Sequence, residues 1–594
     1  MDVSITYRVV PLTQEHLSEV LALSEEQMGK GFLSPKTLLE HIDQPNHFGQ
    51  VVQEEGCVLG FSLMEIVDRV ALSKRMKGAE QWFLAYFAAY EKLGYRSLTA
   101  VSTSAQGQGI GSLLVREGLA QLSNRVPVVV CDAWQSQHPS AGHVLLNNGY
   151  KALRALPNFW KEDSLQQGYT CSNCGAPPCQ CNAMIYGCFF ENPPINWWAR
   201  PDLNYQGQQL HLAGHNLSTY TQNKATPFYL YSLPRIQANY ERLANALEQA
   251  GISYQIHYAM KANRHWAILS HLRSHTNACI DVCSPRELHR ALQAGFEPSQ
   301  ITYTNTSVSQ SDLELLAQHP NIALNLDALS TIRRFSTLVE QRTIGIRINS
   351  DIGMAYDASL EYAGRKTFKF GIYQEQWAEL KQLVDQTNFT VTTLHCHAGS
   401  GFLTDQLDRL EAIFKVIDQF LALFPQIDTL NLGGGLGVPQ QEGDLPLDIE
   451  RWTTLIGNYI LERQLKLRIE PGDYLVKDAG LLITKVNTLE HKRGQLFVGV
   501  DTGMNMNYEA AYYQMNLEPV PLQQATDGQL LQGTISGNIN EPIDLLSSYR
   551  TLPALQEGDY LALLNTGGYG SSASSDHCMR GDFEEYVLYN KNNQ

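Results

Sequence analysis

Tyr258-Ala259-Met260-Lys261-Ala262-Asn263 closes an apolar run that starts at Tyr254, and it leaves a lysine where a short buried strand should end. Similar runs recur down the chain at 279–282, 301–304, 321–326, 343–349, 391–397, 429–432 and 468–470. Amphipathic helical stretches such as 233–250 and 404–424 lie between them. Short continuous apolar runs suit strands covered on both faces, and alternation with helices suits parallel pairing. The pattern predicts an α/β chain with a parallel (β/α)8 barrel over 201–475. Beyond Glu470 come β-rich segments at 480–489, 495–501, 530–535 and 559–564, which predict a β-domain over 476–594. Residues 227–231 are candidates to join that β-domain as an early strand.

Three local patterns bear on chemistry. Lys261 would stand at the mouth of the first barrel strand, the end at which barrel active sites gather. Partial desolvation there is expected to lower its pKa and free the amine for Schiff-base formation. Gly433-Gly434-Gly435 follows the seventh strand, within Asn431-Leu432-Gly433-Gly434-Gly435-Leu436-Gly437. Consecutive glycines let backbone N–H groups approach an anion, and loops after strands seven and eight often hold phosphate. Glu470-Pro471-Gly472 ends the eighth strand. A carboxylate facing a pyridine nitrogen keeps the ring protonated and an effective electron sink. Each pattern alone also reads as ordinary structure: a solvated lysine, a flexible turn, a carboxylate before a tight turn. Their order on strands one, seven and eight gives the combination its weight.

Further pieces stand in the same order. They are Asp281-Val282-Cys283-Ser284-Pro285-Arg286-Glu287, Arg347-Ile348-Asn349, His397-Ala398-Gly399-Ser400-Gly401, Asp501-Thr502-Gly503-Met504 and Gly567-Gly568-Tyr569. With these, residues 222–594 resemble the ornithine/diaminopimelate decarboxylase family, pyridoxal 5'-phosphate (PLP) enzymes with an alanine-racemase-like barrel. The resemblance implies that Lys261 binds the cofactor covalently and that His397 stacks on its ring. Ser400, Gly433, Gly434, Gly435 and Tyr569 would hold the phosphate, and Glu470 would pair with the ring nitrogen. Asp281, Glu287 and Arg347 would support the cofactor and the lysine. It also implies a homodimer with shared active sites. Racemases of this fold place an arginine at the pyridine nitrogen. Glu470 favours the stronger electron sink that loss of CO₂ needs, so decarboxylation is the preferred reaction.

The sequence departs from the family at two places. Asp473 follows Glu470-Pro471-Gly472 where an arginine usually contacts phosphate, so it must turn away from the phosphate or be compensated by another residue. Ser536 stands where the family has a cysteine that protonates the α-carbon; Cys578 or a water is the alternative acid. Glu541 and Asp544 are candidates to bind a distal amine of the substrate, and Tyr512 to contact it. These features predict a diamino acid substrate of the lysine, ornithine or diaminopimelate kind, L or D.

Gln106-Gly107-Gln108-Gly109-Ile110-Gly111 follows a strand at 98–101 and opens an amphipathic helix at 112–122. Glycines at a helix start expose N–H donors to an anion. With 141–150 ending in Asn147-Asn148-Gly149-Tyr150, residues 1–165 resemble the GNAT acyltransferases. This implies an α/β domain binding acetyl-CoA or another acyl-CoA through Gln106, Gly107, Gly109 and Gly111, and acylating an amine. Leu146 stands where many such enzymes have a tyrosine acid; His138, His143 and Tyr150 are nearby groups. Residues 166–200 read as a connector whose Cys171, Cys174, Cys179 and Cys181 could hold zinc or be free thiols.

Composition sets outer bounds. The net charge is −16 and no Lys/Arg run appears, which argues against nucleic acid. The run 82–90 is too short to span a bilayer. The start has no basic segment followed by an apolar one, so a cytoplasmic protein is expected. Together the readings predict a diamino-acid decarboxylase fused to an N-acyltransferase, in a pathway such as siderophore or other specialised-metabolite synthesis. The alternatives are a non-catalytic PLP-fold regulator and a racemase.

Overall fold

The computed structural model describes residues 7–135, 140–156, 158–190, 197–364, 367–524 and 530–590. They form two units, 1–198 with 442–444, and 199–441 with 445–594.

The first unit is built on a seven-stranded sheet. Its strands are β1 Val9–Pro11, β2 His47–Glu54, β3 Cys57–Asp68, β4 Lys92–Val101, β5 Val128–Gln135, β6 Lys151–Leu156 and β7 Asn182–Phe189. The spatial order is β1-β2-β3-β4-β5-β7-β6, and β4/β5 is its parallel pair. That pair is joined in register only at Gly94–Arg96 against Val129–Cys131. The expected boundary at 165 needs correction. β7 lies between β5 and β6, so the Cys-rich stretch is an excursion inside this sheet rather than a connector between domains. A Pro- and Cys-rich run hides such a strand, because its apolar segment begins only at Ala183.

The second unit begins with a small sheet, β8 Leu203–Gln206, β9 Gln209–Leu212 and β10 His215–Asn216, followed by β11 Phe228–Ser232. Eight parallel strands then close a barrel. They are β12 Tyr254–Ala259, β13 Cys279–Val282, β14 Ile301–Thr304, β15 Ala323–Leu326, β16 Arg342–Ile348, β17 Phe389–Cys396, β18 Thr429–Asn431 and β19 Lys466–Ile469. All eight expected strands are present. Ile256, Ile280, Leu324, Ile346, Leu394, Leu430 and Leu467 are all at most 2% exposed, as a barrel covered by a helical ring requires. The helix Leu233–Gln249 shows the local logic. Ser232 caps its Arg235 N–H, Pro234 sits in the first turn, and Ile236, Tyr240, Leu243 and Leu247 form its buried stripe.

The β-domain contains β20 Gly480–Lys492, β21 Gln495–Val500, β22 Pro519–Pro521, β23 Leu530–Ser536, β24 Leu545–Pro553, β25 Tyr560–Leu563 and β26 Glu584–Leu588. β11 joins it, antiparallel to β20 and parallel to β26. Among the described residues no helix is long and apolar enough to cross a membrane.

Candidate active site

Glu470 follows β19, and its carboxylate is held from four other strands. Oε2 meets His395 Nε2 of β17 at 3.1 Å. Oε1 accepts from Asn431 Nδ2 of β18 at 2.7 Å, Asn325 Nδ2 of β15 at 3.4 Å and Thr304 Oγ1 of β14 at 3.5 Å. These partners come together because Thr304 and Asn325 are register neighbours, as are His395 and Asn431. Glycine at 345 in β16 leaves the space that Asn325 Oδ1 approaches; a Cβ there would collide with it. Burial pushes the Glu470 pKa up, but His395 and Asn431, with Lys261 beyond, outweigh it, so the carboxylate is held well below its ordinary range.

Lys261 stands in the turn Met260–Ala262 that ends β12, and solvent reaches its side chain. The expectation of a lowered pKa does not hold. Desolvation does pull it down, but Asp281 outweighs this, with smaller upward contributions from Tyr362, Cys283 and Glu470, and the net shift is upward. Asp281 lies on β13, whose register places it beside Ala259. Burial and the nearby Glu470 push its pKa well up, against the pull of Lys261. Glu287 is taken up locally: Oε2 accepts the Cys283 N–H at 2.8 Å where the helix Pro285–Gln293 begins.

Arg347 is buried on β16, opposite His395 in register and 4.7 Å from the Phe370 ring centroid. His397 stands two residues beyond His395. Desolvation first, then Arg347, Lys261 and His395, push its pKa well down. Its ring packs 5.0 Å from that of Tyr362, and a Cβ on Gly433 would lie 2.8 Å from its Cβ and Nδ1. The loop carrying Ser400 is laced to the glycine run, for Gly401 N–H and Phe402 N–H both donate to Gly435 O at 2.8 Å. Gly433 and Gly435 have φ of +64° and +93°, and a Cβ on Gly434 would collide with Glu470 O. Tyr569, at φ +55°, donates its N–H to Ala262 O at 2.8 Å, next to Lys261.

Asp473 is answered by a neighbour one turn on. Lys477, 1% exposed, donates to Asp473 Oδ2 at 3.1 Å and to Glu509 Oε2 at 2.6 Å. Two buried carboxylates around one ammonium leave an excess negative charge. Burial, opposed by Lys477 and reinforced by Asp473, pushes Glu509 up to about 7. The sequence reading did not single out Lys477, Glu509, His395 or Asn431. The two-residue spacing of His395 and His397 is the signal that could have found the first, since such residues share a strand face.

The expected substrate groups fare differently. Asp544 is engaged within its own loop: Oδ1 accepts Met504 N–H at 2.6 Å and Oδ2 accepts Ile539 N–H at 2.7 Å. Burial leads the upward shift of its pKa. Glu541 is exposed and meets His577 Nε2 at 3.2 Å, next to exposed Cys578. Ser536 is tied into β23, paired with Gly499 and Leu545. Tyr512 is 63% exposed.

In the first unit Gly107 and Gly109 have φ of +79° and +82°, and a Cβ on either would meet nothing within 4 Å. Gly109 caps the helix Ile110–Leu122, whose second residue is Gly111. Gln106 Nε2 donates to Gln27 Oε1 at 3.1 Å. Tyr150 is buried, with its hydroxyl accepting from Arg96 Nε at 3.3 Å, and its pKa is raised chiefly by burial. His143 is exposed, and His138 lies outside the described residues.

A lysine at the barrel mouth, a caged carboxylate and a laced glycine loop are an arrangement that could hold pyridoxal 5'-phosphate. The residues fit that cofactor: the loop would accept no side chain at 434, and His397 Nδ1 and Asp281 Oδ1 are buried without partners among the described residues. The profile of the pyridoxal-dependent decarboxylase pyridoxal-binding domain matches residues 233–477. Diaminopimelate decarboxylase of Methanothermobacter thermautotrophicus is 30% identical over 391 residues, 64% of this chain and 90% of that protein. The Pseudomonas aeruginosa enzyme of that name is 30% identical over 392 residues, 65% of this chain and 93% of its own. Among solved structures, diaminopimelate decarboxylase of Helicobacter pylori complexed with L-lysine is similar with a TM-score of 0.58 and 28% identity, over 63% of this chain and 95% of that one. The chain belongs to the pyridoxal-dependent decarboxylase family, and its larger unit is that of a PLP-dependent amino-acid decarboxylase.

Proposed function

We propose that the larger unit decarboxylates a diamino acid of the lysine, ornithine or diaminopimelate kind, and that the smaller unit acylates an amine from an acyl-CoA. The caged Glu470 carboxylate carries the first reading. The bound cofactor supplies an electron sink for the pair left at the α-carbon when the carboxylate departs. Lys261 would hold the cofactor, His397 would pack on its ring, and Ser400, Gly433 to Gly435 and Tyr569 would receive the phosphate. His395 and Asn431 keep Glu470 ionised and aimed, and Arg347 backs His395 from the next strand.

Loss of CO₂ consumes one proton at the α-carbon. We assign its return to Cys578, whose thiol is exposed beside the His577–Glu541 pair, because a thiol gives up its proton far more readily than the hydroxyl of Ser536. Ser572, six residues earlier, donates its hydroxyl to Lys261 O at 2.9 Å. Glu541 is the carboxylate left to receive a distal ammonium once Asp544 is committed. Exposed Tyr512, Ile543 and Met579 support a second copy of the chain covering this edge.

For the smaller unit, support comes from the helix N-terminus behind open glycines and from the short β4/β5 pairing, which leaves the end of β4 clear of β5. The reaction would convert a thioester and an amine to an amide and a thiol.

The test is a screen of L- and D-lysine, L- and D-ornithine and meso-diaminopimelate for CO₂ release by the PLP-loaded protein. Chiral analysis of recovered amino acid tests racemisation, and mass spectrometry with acetyl-CoA tests acylation of the amine formed. CO₂ release from none of the five amino acids contradicts the first reading, and no acylated amine contradicts the second.

A further inference from the structure

Between β6 and β7, four cysteine sulfurs converge. The Sγ atoms of Cys171, Cys174, Cys179 and Cys181 all lie within 4.8 Å of one another. Cys171 to Cys181 is 3.8 Å, Cys174 to Cys181 3.3 Å and Cys174 to Cys179 3.9 Å. A tetrahedron of sulfurs about 2.3 Å from a central zinc has edges of about 3.8 Å. All three separations are far longer than the roughly 2.05 Å of a disulfide.

The surrounding backbone is shaped for thiolates. Cys171 and Gly175 exchange two backbone hydrogen bonds of 2.9 Å, closing a tight turn with Gly175 at φ +80°. Donors then point at the sulfurs: Cys174 N–H at Cys171 Sγ, Gln180 N–H at Cys174 Sγ and Asn173 Nδ2 at Cys181 Sγ, each at 3.4 Å. Four thiolates around one divalent cation leave two excess negative charges, and such donors offset them. Cys171, Cys179 and Cys181 are buried and Cys174 faces solvent, and four cysteine ligands would fill a tetrahedral centre and leave no open position for a substrate.

We propose that these four cysteines hold a structural zinc ion, which binds as the four thiols give up their protons to solvent. The site fixes the path by which β7 returns between β5 and β6. It also braces a neighbour. Thr170 N–H and Ser172 N–H donate to Lys30 O and Met28 O, and Ser172 Oγ donates to Gln27 O at 2.8 Å. The Gln27 side chain in turn bonds Thr103 and Gln106 at the glycine turn. The metal thus stiffens the support of Gly107 and Gly109, whatever ligand that turn receives.

The full-length protein, purified without chelator, should carry about one zinc per chain by plasma mass spectrometry. An organomercurial should release it stoichiometrically to a chromogenic chelator. Cobalt grown in its place should give the intense visible bands of tetrahedral thiolate coordination. Cys174→Ser should lose the metal while Cys57→Ser, at an exposed cysteine elsewhere in the unit, keeps it. Fewer than about 0.2 zinc per chain with four freely titrating thiols in the wild type, or iron in zinc's place, would overturn the proposal even if Cys174→Ser fails to fold.

Discussion

His395 and Glu470 meet at 3.1 Å inside the barrel, the histidine from β17 and the carboxylate from the end of β19. Both are buried, so each depends on the other: the histidine keeps the carboxylate ionised, and the carboxylate opposes desolvation of the ring. Removing one partner of a buried pair leaves an uncompensated group. His395→Gln is therefore expected to lower kcat about 10- to 100-fold, or about 1.4–2.7 kcal/mol. Steady-state CO₂ release with saturating cofactor measures it; unchanged kcat would detach Glu470 from the chemistry.

Glu509 gives a pH prediction of unusual sign for a carboxyl group. Its pKa is pushed up to about 7, from an ordinary 4.5, by burial. The folded state thus retains a proton that the unfolded state has lost between those values. The stabilisation is complete below about pH 4.5 and is lost as pH rises through 7, with a slope of at most about 1.4 kcal/mol per pH unit. Urea unfolding between pH 5 and 8 should show this decline, and Glu509→Gln should flatten it. An identical slope in the variant contradicts the assignment.

The glycine loop makes a steric prediction. A Cβ at Gly434 would collide with Glu470 O, a backbone atom that cannot swing aside. Gly434→Ala should raise the apparent Kd for PLP at least about tenfold, a shift of about 1.4 kcal/mol. Fluorescence titration of the apoprotein measures the affinity, and circular dichroism checks that the barrel is retained.

In the smaller unit, Gly109 caps its helix at φ +82° with open space where a side chain would project. A β-branched residue there is strained in the left-handed region and covers the helix N-terminus. Gly109→Val should weaken acetyl-CoA binding at least about tenfold by calorimetry while CO₂ release stays unchanged. Loss of CO₂ release instead would contradict separate roles for the two units.

How much of this was legible depended on the type of burial. The barrel strands read clearly because strands covered on both faces leave uninterrupted apolar runs, as at Ile301–Thr304. β24 was hidden because Ser547, Ser548 and Arg550 interrupt its apolar positions, although Ser547 is fully buried. Lys261, Gly433 to Gly435 and Glu470 could be read from their order, whereas Glu470's cage draws single polar residues from four strands. The loop bonds of Asp544 are not legible in the sequence, because a short-range pattern cannot distinguish a carboxylate facing a ligand from one bonded to its own loop's N–H groups. The direction of the Lys261 shift depended on Asp281, which only the β12/β13 register brings alongside.

The central claim concerns where the cofactor is attached. Borohydride reduction of the PLP-saturated protein, followed by proteolysis and peptide mass mapping, should place one pyridoxyl group on the peptide bearing Lys261, and Lys261→Ala should abolish that label. A pyridoxyl group on another lysine, or none in protein shown to be saturated, would contradict the account.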